Sequence, residues 1–373
     1  MKLLIGMPAE DSWGGPAASE PPFVEALCAL GVDVTTETYV YGDKERPTPF
    51  LSRIIRVLKT AWRFRRLLHR ESFDLIHLNT AFDRKTVLRD SVSIFLMRPG
   101  RAKIFLKVHG AAGDDIPDRS TVFRPLIKYL SSRVDGLGVH TREEANELER
   151  QGFPPEKLFT VKNTIDVADK APRGFRRKQK EGTETFELLF VSRFIKTKGL
   201  IETIEACAIL RDRGVKFRLI CVGDGPIRAS AEALVEAKGS ADHVEFTGYI
   251  SEAEVFDKLL QGDMLIFPTS HREGFPNILF RAVAVGLPVV TTRARAGGEY
   301  LTEDENCLFC TPKPENIADK IQTLIGDRDL RERMSDANLA FGKLLTKEAI
   351  AEEFLEIYEK VVGEAETRGK KEQ

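Results

Sequence analysis

The sequence predicts an α/β protein made of two doubly wound domains. Short apolar runs alternate with helical patterns from the first strand at residues 2–7, and the same alternation restarts after residue 185. This alternation is typical of parallel sheets whose strands are connected by helices. A chain of 373 residues is also longer than a single core usually organises.

The interruption at residues 169–185 lacks periodicity and is rich in Lys, Arg, Gly and Pro, which indicates a linker. We therefore expect an N-terminal domain at residues 1–168 and a C-terminal domain at residues 186–345. Residues 346–373 follow as a terminal helix with a polar tail.

The composition excludes several classes of protein. A hydrophobic fraction of 42% and a charged fraction of 30% are globular values, and a net charge of −1 gives no case for nucleic acid binding. The apolar run after Lys2 stops at Pro8, so no signal peptide is expected. No apolar run approaches the ~20 residues that span a bilayer.

The five cysteines are odd in number and scattered, which favours a reducing compartment over a disulfide framework. Cys307 and Cys310 form one C-x-x-C pair, but no second Cys or His pair lies near them in the sequence. Because they lie in an apolar run, we interpret them as strand residues and not as a zinc or redox site.

The first domain opens with a strand, a glycine-rich turn, a helix at residues 21–30 and a strand at residues 32–36. In doubly wound sheets, ligands bind near this turn, and Gly14-Gly15 would let the backbone approach a phosphate. A plain turn explains the two glycines equally well. The segment does not match the G-x-G-x-x-G dinucleotide fingerprint.

Residues 53–70 form a basic amphipathic pattern. On a helix the apolar residues share one broad face: Ile54, Val57, Leu58, Ala61, Trp62, Phe64 and Leu68. The basic residues gather on the other face, with no acid among them: Arg53, Arg56, Lys59, Arg63, Arg66 and Arg70. Such a helix can lie on an anionic membrane surface, and a domain helix with a basic outer face is the alternative.

Two histidines fall at or near the carboxyl ends of predicted strands, where the sites of α/β proteins form. His109 ends the strand that starts at Lys103 and is followed by Gly110 and a loop, so it is the stronger site candidate. His77, in the strand at residues 74–78, is equally well explained as a hydrogen-bonded strand residue. A further strand at residues 134–139 and a helix capped by Thr141 complete the sheet pattern.

The second domain opens with a strand at residues 188–193 and a helix at residues 200–213. Arg193 and Lys198 bracket the loop between them, a placement that suits two cations around a diphosphate. For either residue alone, solvated surface charge is the simpler explanation. The next strand, at residues 217–222, is followed by Gly223-Asp224-Gly225-Pro226. A further strand, at residues 244–250, ends with Gly248-Tyr249-Ile250.

The stretch from residue 264 to residue 292 combines a carboxylate with a helix N-terminus. A strand at residues 264–267 leads into a polar loop with Glu273, and Pro276 marks the start of a helix that ends before Gly286. The loop offers backbone N–H groups and the positive end of a helix dipole, which suit an anionic or hydroxyl-rich ligand. An ordinary βαβ crossover with a capping Glu is the alternative.

The last elements are a loop at residues 295–299, a strand at residues 307–310, a helix at residues 314–324 and a terminal helix at residues 347–362. Asp327-Arg328-Asp329 has the D-x-D spacing of some metal sites, but it lies at a helix start. We interpret it as capping.

Several of these motifs, in this order, resemble those of the family 4 glycosyltransferases of the GT-B fold. The specific ones lie in the second domain: Arg193 with Lys198-Gly199, Gly223-Asp224-Gly225-Pro226, Val244-x-Phe246-x-Gly248 and Glu273-Gly274-Phe275-Pro276-Asn277. Trp13-Gly14-Gly15, His109-Gly110 and Asn163-Thr164-Ile165-Asp166 fit as well, whereas residues 37–100 resemble the family only loosely.

The resemblance implies two Rossmann-like domains that face each other across a cleft, the first on the acceptor side and the second on the nucleotide-sugar donor side. It implies that the terminal helix crosses back to the first domain. It further implies sugar transfer with retention at the anomeric carbon, no metal or other cofactor, and a UDP- or GDP-sugar as donor.

The family's site residues map onto this chain position by position. Arg193 and Lys198 would neutralise the donor diphosphate, Glu273 would accept hydrogen bonds from donor sugar hydroxyls, and His109 would lie beside the sugar. The resemblance assigns donor binding to Gly14, Gly15, Gly223, Asp224, Tyr249, Ile250, Gly274, Phe275, Pro276, Asn277, Ile278, Leu279 and Arg281. The retaining mechanism usually proposed for this family needs no protein nucleophile.

One position departs from the family pattern. Its second glutamate, which binds the ribose hydroxyls, is Arg281 here, and arginine is only a donor and carries the opposite charge. The substitution implies altered ribose recognition, a phosphate-seeking arginine or lost donor binding. The loop at residues 295–299 is also shorter than the family spacing before its glutamate.

These observations favour a retaining glycosyltransferase that acts on a glycan or lipid-linked acceptor in surface polysaccharide or glycolipid synthesis. We expect it in the cytoplasm, peripheral at the inner face of the membrane. Two alternatives remain open: a non-catalytic homologue that partners an active enzyme, supported by Arg281, and a nucleotide-sugar epimerase of the same fold.

Overall fold

In the computed structural model, each half of the chain forms a doubly wound α/β unit, as predicted. The structure describes residues 1–9, 12, 15–39, 49–110, 123–165, 167 and 184–369, with the backbone alone at residues 50 and 364–369. Unit 1 comprises Met1–Thr164 and the chain from Lys347 onward, and unit 2 comprises Ile165–Thr346. Most of the predicted linker, residues 169–185, lies outside the described residues.

Unit 1 contains one parallel sheet. Its strands are β1 (Lys2–Met7), β2 (Asp33–Thr38), β3 (Leu75–Thr80), β4 (Lys103–Val108), β5 (Gly136–Val139) and β6 (Leu158–Thr160). Its helices are α1 (Gly15–Ala29), α2 (Phe50–Arg70), α3 (Arg84–Met97), α4 (Phe123–Arg133), α5 (Arg142–Arg150) and, from the end of the chain, α13 (Lys347–Gly369). The strand order is β2-β1-β3-β4-β5-β6, so the direction of winding reverses between β1 and β3.

Alternating strand residues of unit 1 face two separate apolar layers. Leu3, Ile5 and Phe105 face α1 and α13, whose Phe23 and Phe354 complete that layer. The intervening residues face α2, α3 and α4, where Phe64, Ile94 and Ile127 are buried. Because both faces are covered, the central strands are nearly continuous apolar runs, as parallel sheets require.

Unit 2 repeats this architecture. Its strands are β7 (Phe186–Val191), β8 (Phe217–Val222), β9 (Val244–Gly248), β10 (Met264–Phe267), β11 (Val289–Thr291) and β12 (Leu308–Phe309). Its helices are α6 (Leu200–Asp212), α7 (Arg228–Ala237), α8 (Glu252–Gln261), α9 (Asn277–Ala284), α10 (Arg295–Tyr300), α11 (Pro314–Gly326) and α12 (Arg328–Gly342).

The strand order of unit 2 is β12-β11-β10-β7-β8-β9, which is the Rossmann order of two wound halves. The first strand, β7, pairs with β8 on one side and with β10 on the other. The winding therefore reverses between β7 and β10. In open α/β sheets, ligands bind outside the carboxyl ends of the strands at such a reversal.

The helix predicted at residues 21–30 begins earlier, at Gly15, so the predicted start was wrong. Pro21 and Pro22 resembled a helix start but lie inside α1. The first turns of α1 bury Ser19 and Glu20 completely. Contacts of these buried side chains with the sheet extend the helix, which proline preferences alone could not indicate.

Residues 295–299, predicted as a loop, form α10, so this prediction was wrong. Gly297 and Gly298 lower helix propensity, which is why the sequence pattern indicated a loop. The completely buried Ala296 and the nearly buried Leu301 anchor this short helix in the apolar layer below it. Tertiary packing thus overrides the local preference.

Candidate functional site

The loops after β7 and β10 emerge side by side where the winding of unit 2 reverses. Arg193 and Lys198 lie in the first loop, and Glu273 lies in the second. The two loops are hydrogen bonded to each other. The Thr197 carbonyl accepts from the backbone N–H groups of Ser270 at 2.9 Å and His271 at 3.1 Å.

Gly199 makes this close approach possible. Its φ is +84°, and a Cβ at this position would lie 2.6 Å from the carbonyl oxygen of Pro268. Only glycine therefore fits between the two loops, since both the backbone conformation and the space exclude a side chain. The motif Lys198-Gly199 thus has a structural meaning: the glycine brings the lysine next to the β10–α9 loop.

The Lys198 ammonium contacts the Glu273 carboxylate. Lys198 is only 3% exposed, and its ammonium lies 5.7 Å from the centre of the Phe267 ring. Burial, together with the charge of Arg193, lowers the pKa of Lys198 to about 7. The Glu273 carboxylate opposes this shift, because an adjacent negative charge favours the ammonium form.

The pair is open on one side. The Glu273 side chain is 26% exposed, against 4% for Lys198, and Arg193 in the same loop is exposed. An anionic ligand could therefore approach the ammonium while its hydroxyl groups donate to the carboxylate. The arrangement can bind an oxyanion and a polyol at adjacent positions.

Gly223 and Asp224 lie in the neighbouring loop after β8. A Cβ on Gly223 would lie 1.9 Å from the Ser192 carbonyl oxygen, so the loop presses directly on the backbone beside Arg193. The Asp224 carboxylate accepts from the Gly225 N–H at 2.7 Å and from Arg228 at 2.8 Å, which lowers its pKa. Asp224 thus has an internal role that holds the loop.

Tyr249 and Ile250 follow β9 and do not belong to it, since β9 ends at Gly248. Tyr249 is 67% exposed, and its hydroxyl donates to the Asp224 carbonyl at 3.2 Å. Ile250 packs against the apolar layer of α8 and α9. An exposed aromatic ring held at one end by a hydrogen bond can offer a face for stacking.

The residues at the start of α9 are mostly buried. The sequence predicted Pro276 as the first residue of the helix. In the structure Pro276 is the N-cap residue, and the helix begins at Asn277. Phe275 stacks on Phe280 at 3.9 Å between ring centres, and Leu279 lies in the core. Of the predicted donor residues here, Gly274, Phe275, Pro276 and Leu279 are buried, whereas Asn277 and Ile278 are half-buried. Only main-chain groups of the buried four can serve a ligand.

Arg281, one turn further along α9, pairs with Glu252 at the start of α8. The Arg281 side chain is 20% exposed and that of Glu252 is 70% exposed. The sequence motifs did not indicate Glu252. Glu252 is the first residue of α8, directly after the cap Ser251 and the loop that carries Tyr249 and Ile250. This position beside two predicted donor residues was the signal that could have indicated it.

In unit 1, His109 follows β4 and is buried in a polar cluster at the carboxyl edge of the sheet. Its Nε2 lies 2.8 Å from Asn79 Oδ1 and 3.5 Å from Glu20 Oε1. Asn79 Nδ2 donates to the Gly6 carbonyl at 3.1 Å, which turns its oxygen towards His109. Nε2 must then be the donor, so the network selects this tautomer of the imidazole.

The charges of this cluster belong to Glu20 and Lys107, which form an ion pair at 2.7 Å with neither side chain exposed. Burial would raise the pKa of Glu20, but the Lys107 charge and a hydrogen bond from His109 hold it well below its usual range. Burial and the Lys107 charge lower the pKa of His109. His109 is therefore neutral near pH 7.

The sequence pattern indicated His109 but not the residues that hold it. Lys107 is a charged residue inside the apolar strand β4. A buried lysine needs polar partners, so its position was the signal that could have led to Glu20 and Asn79. Gly15 is the first residue of α1. Trp13 and Gly14 lie outside the described residues.

His77 lies in the middle of β3, whereas the sequence predicted it at or near the carboxyl end of its strand. Its Nδ1 is hydrogen bonded to the Tyr358 hydroxyl of α13, and burial lowers its pKa to about 4. His77 thus has the structural role that was its alternative interpretation.

Within the part of the chain that the structure describes, no three His, Cys, Asp or Glu side chains lie together so that they could hold a metal ion. Cys307 and Cys310 are buried free thiols whose pKa values are raised by burial. Asp327 caps α12 by accepting from the Leu330 N–H. No helix among the described residues has both the length and the apolar character needed to cross a bilayer.

Two family models match the chain, and together they cover most of it. The model described as Glycosyltransferase Family 4 matches residues 16–169, and the model described as Glycosyl transferases group 1 matches residues 173–340. The second match includes every candidate residue of unit 2.

Among curated proteins, the chain is 31% identical over 225 residues to the putative colanic acid biosynthesis glycosyltransferase WcaL of Escherichia coli K12, covering 58% of this chain and 53% of that protein. It is 25% identical over 317 residues to N-acetyl-alpha-D-glucosaminyl L-malate synthase of Bacillus anthracis, covering 83% and 78%. The chain spans about half the length of the first curated relatives it matches.

Among solved structures, the fold is similar to that of Anabaena Alr3699/HepE in complex with UDP and glucose. The TM-score is 0.73 at 16% sequence identity, over 96% of this chain and all of the other. At this identity the similarity concerns the fold alone, and it agrees with two Rossmann-like units.

Proposed function

Because this chain belongs to the family 4 glycosyltransferases of the GT-B fold, we propose that it transfers a sugar from a nucleotide-sugar donor to a glycan or lipid-linked acceptor. The donor is a UDP- or GDP-sugar, and the product belongs to a surface polysaccharide or glycolipid. Support comes from the E. coli relative, named for colanic acid biosynthesis, and from the similar fold crystallised with UDP and glucose.

The observation that carries this proposal is the Lys198–Glu273 pair at the β7/β10 reversal. A nucleoside diphosphate sugar needs cations for its diphosphate and hydrogen-bond acceptors for its sugar hydroxyls. The site offers both, in the buried Lys198 ammonium, the exposed Arg193 and the partly exposed Glu273 carboxylate. The cations take the diphosphate, and Glu273 takes the sugar hydroxyls. A simple crossover with a capping glutamate would not require the lysine to be buried against it.

Charge development explains how such a site would catalyse transfer. As the bond between the sugar and the diphosphate breaks, negative charge grows on the leaving oxygen. Lys198 is held in place by burial before the reaction, so it stabilises this charge without reorganisation, and the exposed Arg193 adds a second cation. The proposed transfer is metal-independent, because these two cations supply the charge that a divalent ion supplies in other enzymes.

The sugar is transferred with retention at the anomeric carbon and is a hexose in this proposal. In unit 1, the neutral imidazole of His109 and the backbone at Gly14 and Gly15 are the proposed substrate contacts. Around the β7/β10 reversal, Tyr249 and Ile250 take the base, and the main chain from Gly274 to Leu279 takes phosphate and sugar. The protein works in the cytoplasm at the inner face of the membrane.

Binding and slow hydrolysis of nucleotide sugars test the proposal. A thermal-shift screen should identify a UDP- or GDP-sugar that raises the melting temperature, since a ligand stabilises the state that binds it. Lys198→Ala and Glu273→Ala should each reduce hydrolysis of that donor by about 100-fold or more, the usual loss for a group that acts in the transition state. Lys238→Ala and Glu236→Ala, exposed in α7 and beside it, are the matched controls.

Further readouts complete this test. Activity without added metal should survive EDTA, and NMR of the product should show the anomeric configuration of the donor. A screen in which no nucleotide sugar binds, or equal hydrolysis by the variants and their controls, would reject the proposal.

Arg281 favours a second candidate, a non-catalytic homologue that partners an active enzyme. Arg281, paired with Glu252, places a guanidinium where the family places a ribose-binding carboxylate. This candidate predicts that the natural chain and its Arg281→Glu variant both bind a nucleotide and that neither hydrolyses a nucleotide sugar. The transferase predicts hydrolysis by the natural chain. Release of a free epimerised sugar would instead identify an epimerase.

A further inference from the structure

Helix α2 carries two separate apolar stripes. One faces the core of unit 1, where Ala61 and Phe64 are buried and Leu67 and Leu68 pack beside them. The other is exposed and consists of Leu51, Ile54, Ile55, Leu58 and Trp62. The structure thus divides the broad apolar face predicted for residues 53–70, and much of it is not used by the core.

The exposed stripe lies on the side of α2 that points away from the sheet. At about 100° per residue, the exposed residues fall within roughly 100° of arc, centred about 120° from the four residues that face the core. Leu51 is 71% exposed and Trp62 is 60% exposed. A helix that served only as a layer of the domain would bury such side chains.

The neighbouring helix α3 repeats this arrangement. Leu88, Val92 and Phe95 follow the same helical period and are exposed, whereas Val87 and Ile94 lie in the core. Because α2 and α3 pack against each other over the same apolar layer of the sheet, their outer stripes face the same side of unit 1. The eight exposed residues of α2 and α3 together form the α2–α3 surface.

The exposed charges that α2 and α3 themselves carry have one sign. Arg63 of α2 has an acidic partner outside the two helices, Glu37 of β2, at 3.5 Å. Residues 50–70 contain six arginines and one lysine and no acidic residue. The only acid within α3, Asp90, is buried and accepts from Tyr39 and Thr80. Arg66 lies over the Trp62 ring at 5.6 Å, so cations directly border the apolar stripe.

A second feature adds to the positive charge. A surface cavity of about 100 Å³ at the ends of the two helices is lined by Arg65, Leu68, His69 and Arg98. Its basic lining extends the positive charge of α2 to Arg98, the residue that follows α3.

We infer that the α2–α3 surface docks on an anionic lipid bilayer, with the apolar stripes in the interfacial region and the basic residues on lipid phosphates. A protein partner would need acidic groups around an apolar centre, whereas a bilayer with anionic lipids supplies both over any extent of surface. The docking itself does not depend on the proposed function. Only its consequence does, namely that the protein binds a lipid-linked acceptor at this membrane.

Vesicle co-sedimentation of the full chain tests this inference. Vesicles of phosphatidylcholine alone are compared with vesicles that contain about 30% phosphatidylglycerol, at about 0.1 M salt, where surface charges still act. The protein should partition at least about tenfold more strongly to the anionic vesicles, because each basic residue near such a surface contributes about fivefold.

Two sets of substitutions separate the apolar and the charge contributions. Leu58→Ser, Trp62→Ser and Phe95→Ser together should reduce binding at least about tenfold through lost apolar burial. Lys59→Glu with Arg66→Glu should reduce it about 20-fold or more. Leu344→Ser with Lys238→Glu, both exposed in unit 2, is the matched control and should bind as the natural chain does.

Emission from Trp62 provides a readout that folding defects do not imitate. Acyl-chain-brominated lipids should quench its fluorescence in anionic vesicles, and Trp62→Phe should remove the quenched component. Equal binding to both kinds of vesicle, no binding, or unchanged binding by either set of variants would overturn the inference. Donor hydrolysis, measured in the same variants without vesicles, should be unchanged, so failure here is distinguishable from failure of the proposed transferase.

Discussion

Each unit of this protein places a lysine–glutamate pair at the carboxyl edge of its sheet, and the two pairs differ in what surrounds them. Lys107 and Glu20 of unit 1 are completely enclosed, and the lysine lies between the rings of Phe23 and Phe354. Lys198 of unit 2 is nearly as buried, but its partner Glu273 reaches solvent. The same two residue types are thus sealed in one unit and accessible in the other.

The difference shows how one ion pair can serve the fold and another can serve a ligand. A sealed pair cannot exchange its partner, so it holds Glu20 ionised and keeps His109 neutral. An accessible pair can release its lysine to an incoming anion, because the carboxylate can turn to solvent or to hydroxyl groups. Removal of a partner should therefore destabilise unit 1 but mainly impair binding in unit 2.

The largest expected effect is on stability. Lys107→Met leaves Glu20 buried without its charge partner and should lower the free energy of unfolding of unit 1 by about 3–5 kcal/mol. Lys103→Met is the matched control, because its pair with Asp135 is partly exposed and should contribute less than about 1 kcal/mol. Urea unfolding followed by tryptophan emission measures this, since both tryptophans, Trp13 and Trp62, belong to unit 1.

The lowered pKa of Glu20 predicts how the stability difference between Lys107→Met and the natural chain depends on pH. Because folding lowers its pKa, the stabilisation from the ionised group is present above the unfolded pKa and is lost as the pH falls through the folded one. The difference between Lys107→Met and the natural chain should therefore shrink on acidification. A similar loss of stability in both lysine variants would contradict the distinction between the two pairs.

The next effect is on the pH dependence of donor binding. With a pKa of about 7, Lys198 loses its proton as the pH rises above neutrality, so diphosphate binding must restore that proton. The affinity for UDP should fall by about tenfold for each pH unit above this pKa. Calorimetric titration between about pH 6.5 and pH 8.5 measures this.

Two variants sharpen the assignment. Glu273→Gln removes the carboxylate that favours the ammonium, so the fall should begin at lower pH. Lys198→Met should bind UDP weakly and with no such fall. An affinity of the natural chain that stays constant over this range would show that Lys198 is not the titrating contact.

The smallest effect concerns the tautomer of His109. Asn79→Leu removes the acceptor that fixes Nε2 as the donor and should reduce donor hydrolysis about tenfold, the value of one hydrogen bond. Asn79→Asp keeps an acceptor and adds a charge, so it should restore activity and raise the pKa of His109. Nitrogen NMR of the imidazole reports the tautomer directly, and an unchanged tautomer in Asn79→Leu would refute the role of Asn79.

The fold was largely predictable from the sequence, because apolar runs and helix signals repeat with clear periods in both units. The strand from Lys2 to Met7, the strand from Phe217 to Val222 and the capping of α5 by Thr141 all agree with the prediction. The failures at α1 and α10 occur where buried contacts compensate for prolines or glycines in a helix. Local preference carries no information about such contacts.

The candidate site was only partly predictable. Arg193, Lys198, Glu273 and His109 were identified from loops after strands, but their partners were not. Glu20 and Asn79 are distant in sequence from His109, and Glu252 is distant from Arg281. The contacts between these residues depend on the order of strands in the sheet and on where α1 and α8 pack.

The sequence by itself determined the two α/β units, the position of the cations and carboxylate in loops, and the basic character of α2. These properties follow from residue type and period, which are local. Only the tertiary structure decided that Lys198 is buried against Glu273, that Lys107 is sealed with Glu20, and that one apolar stripe of α2 remains exposed. Burial sets the cost and the use of a charge or an apolar group, and burial depends on neighbours that are distant in the chain.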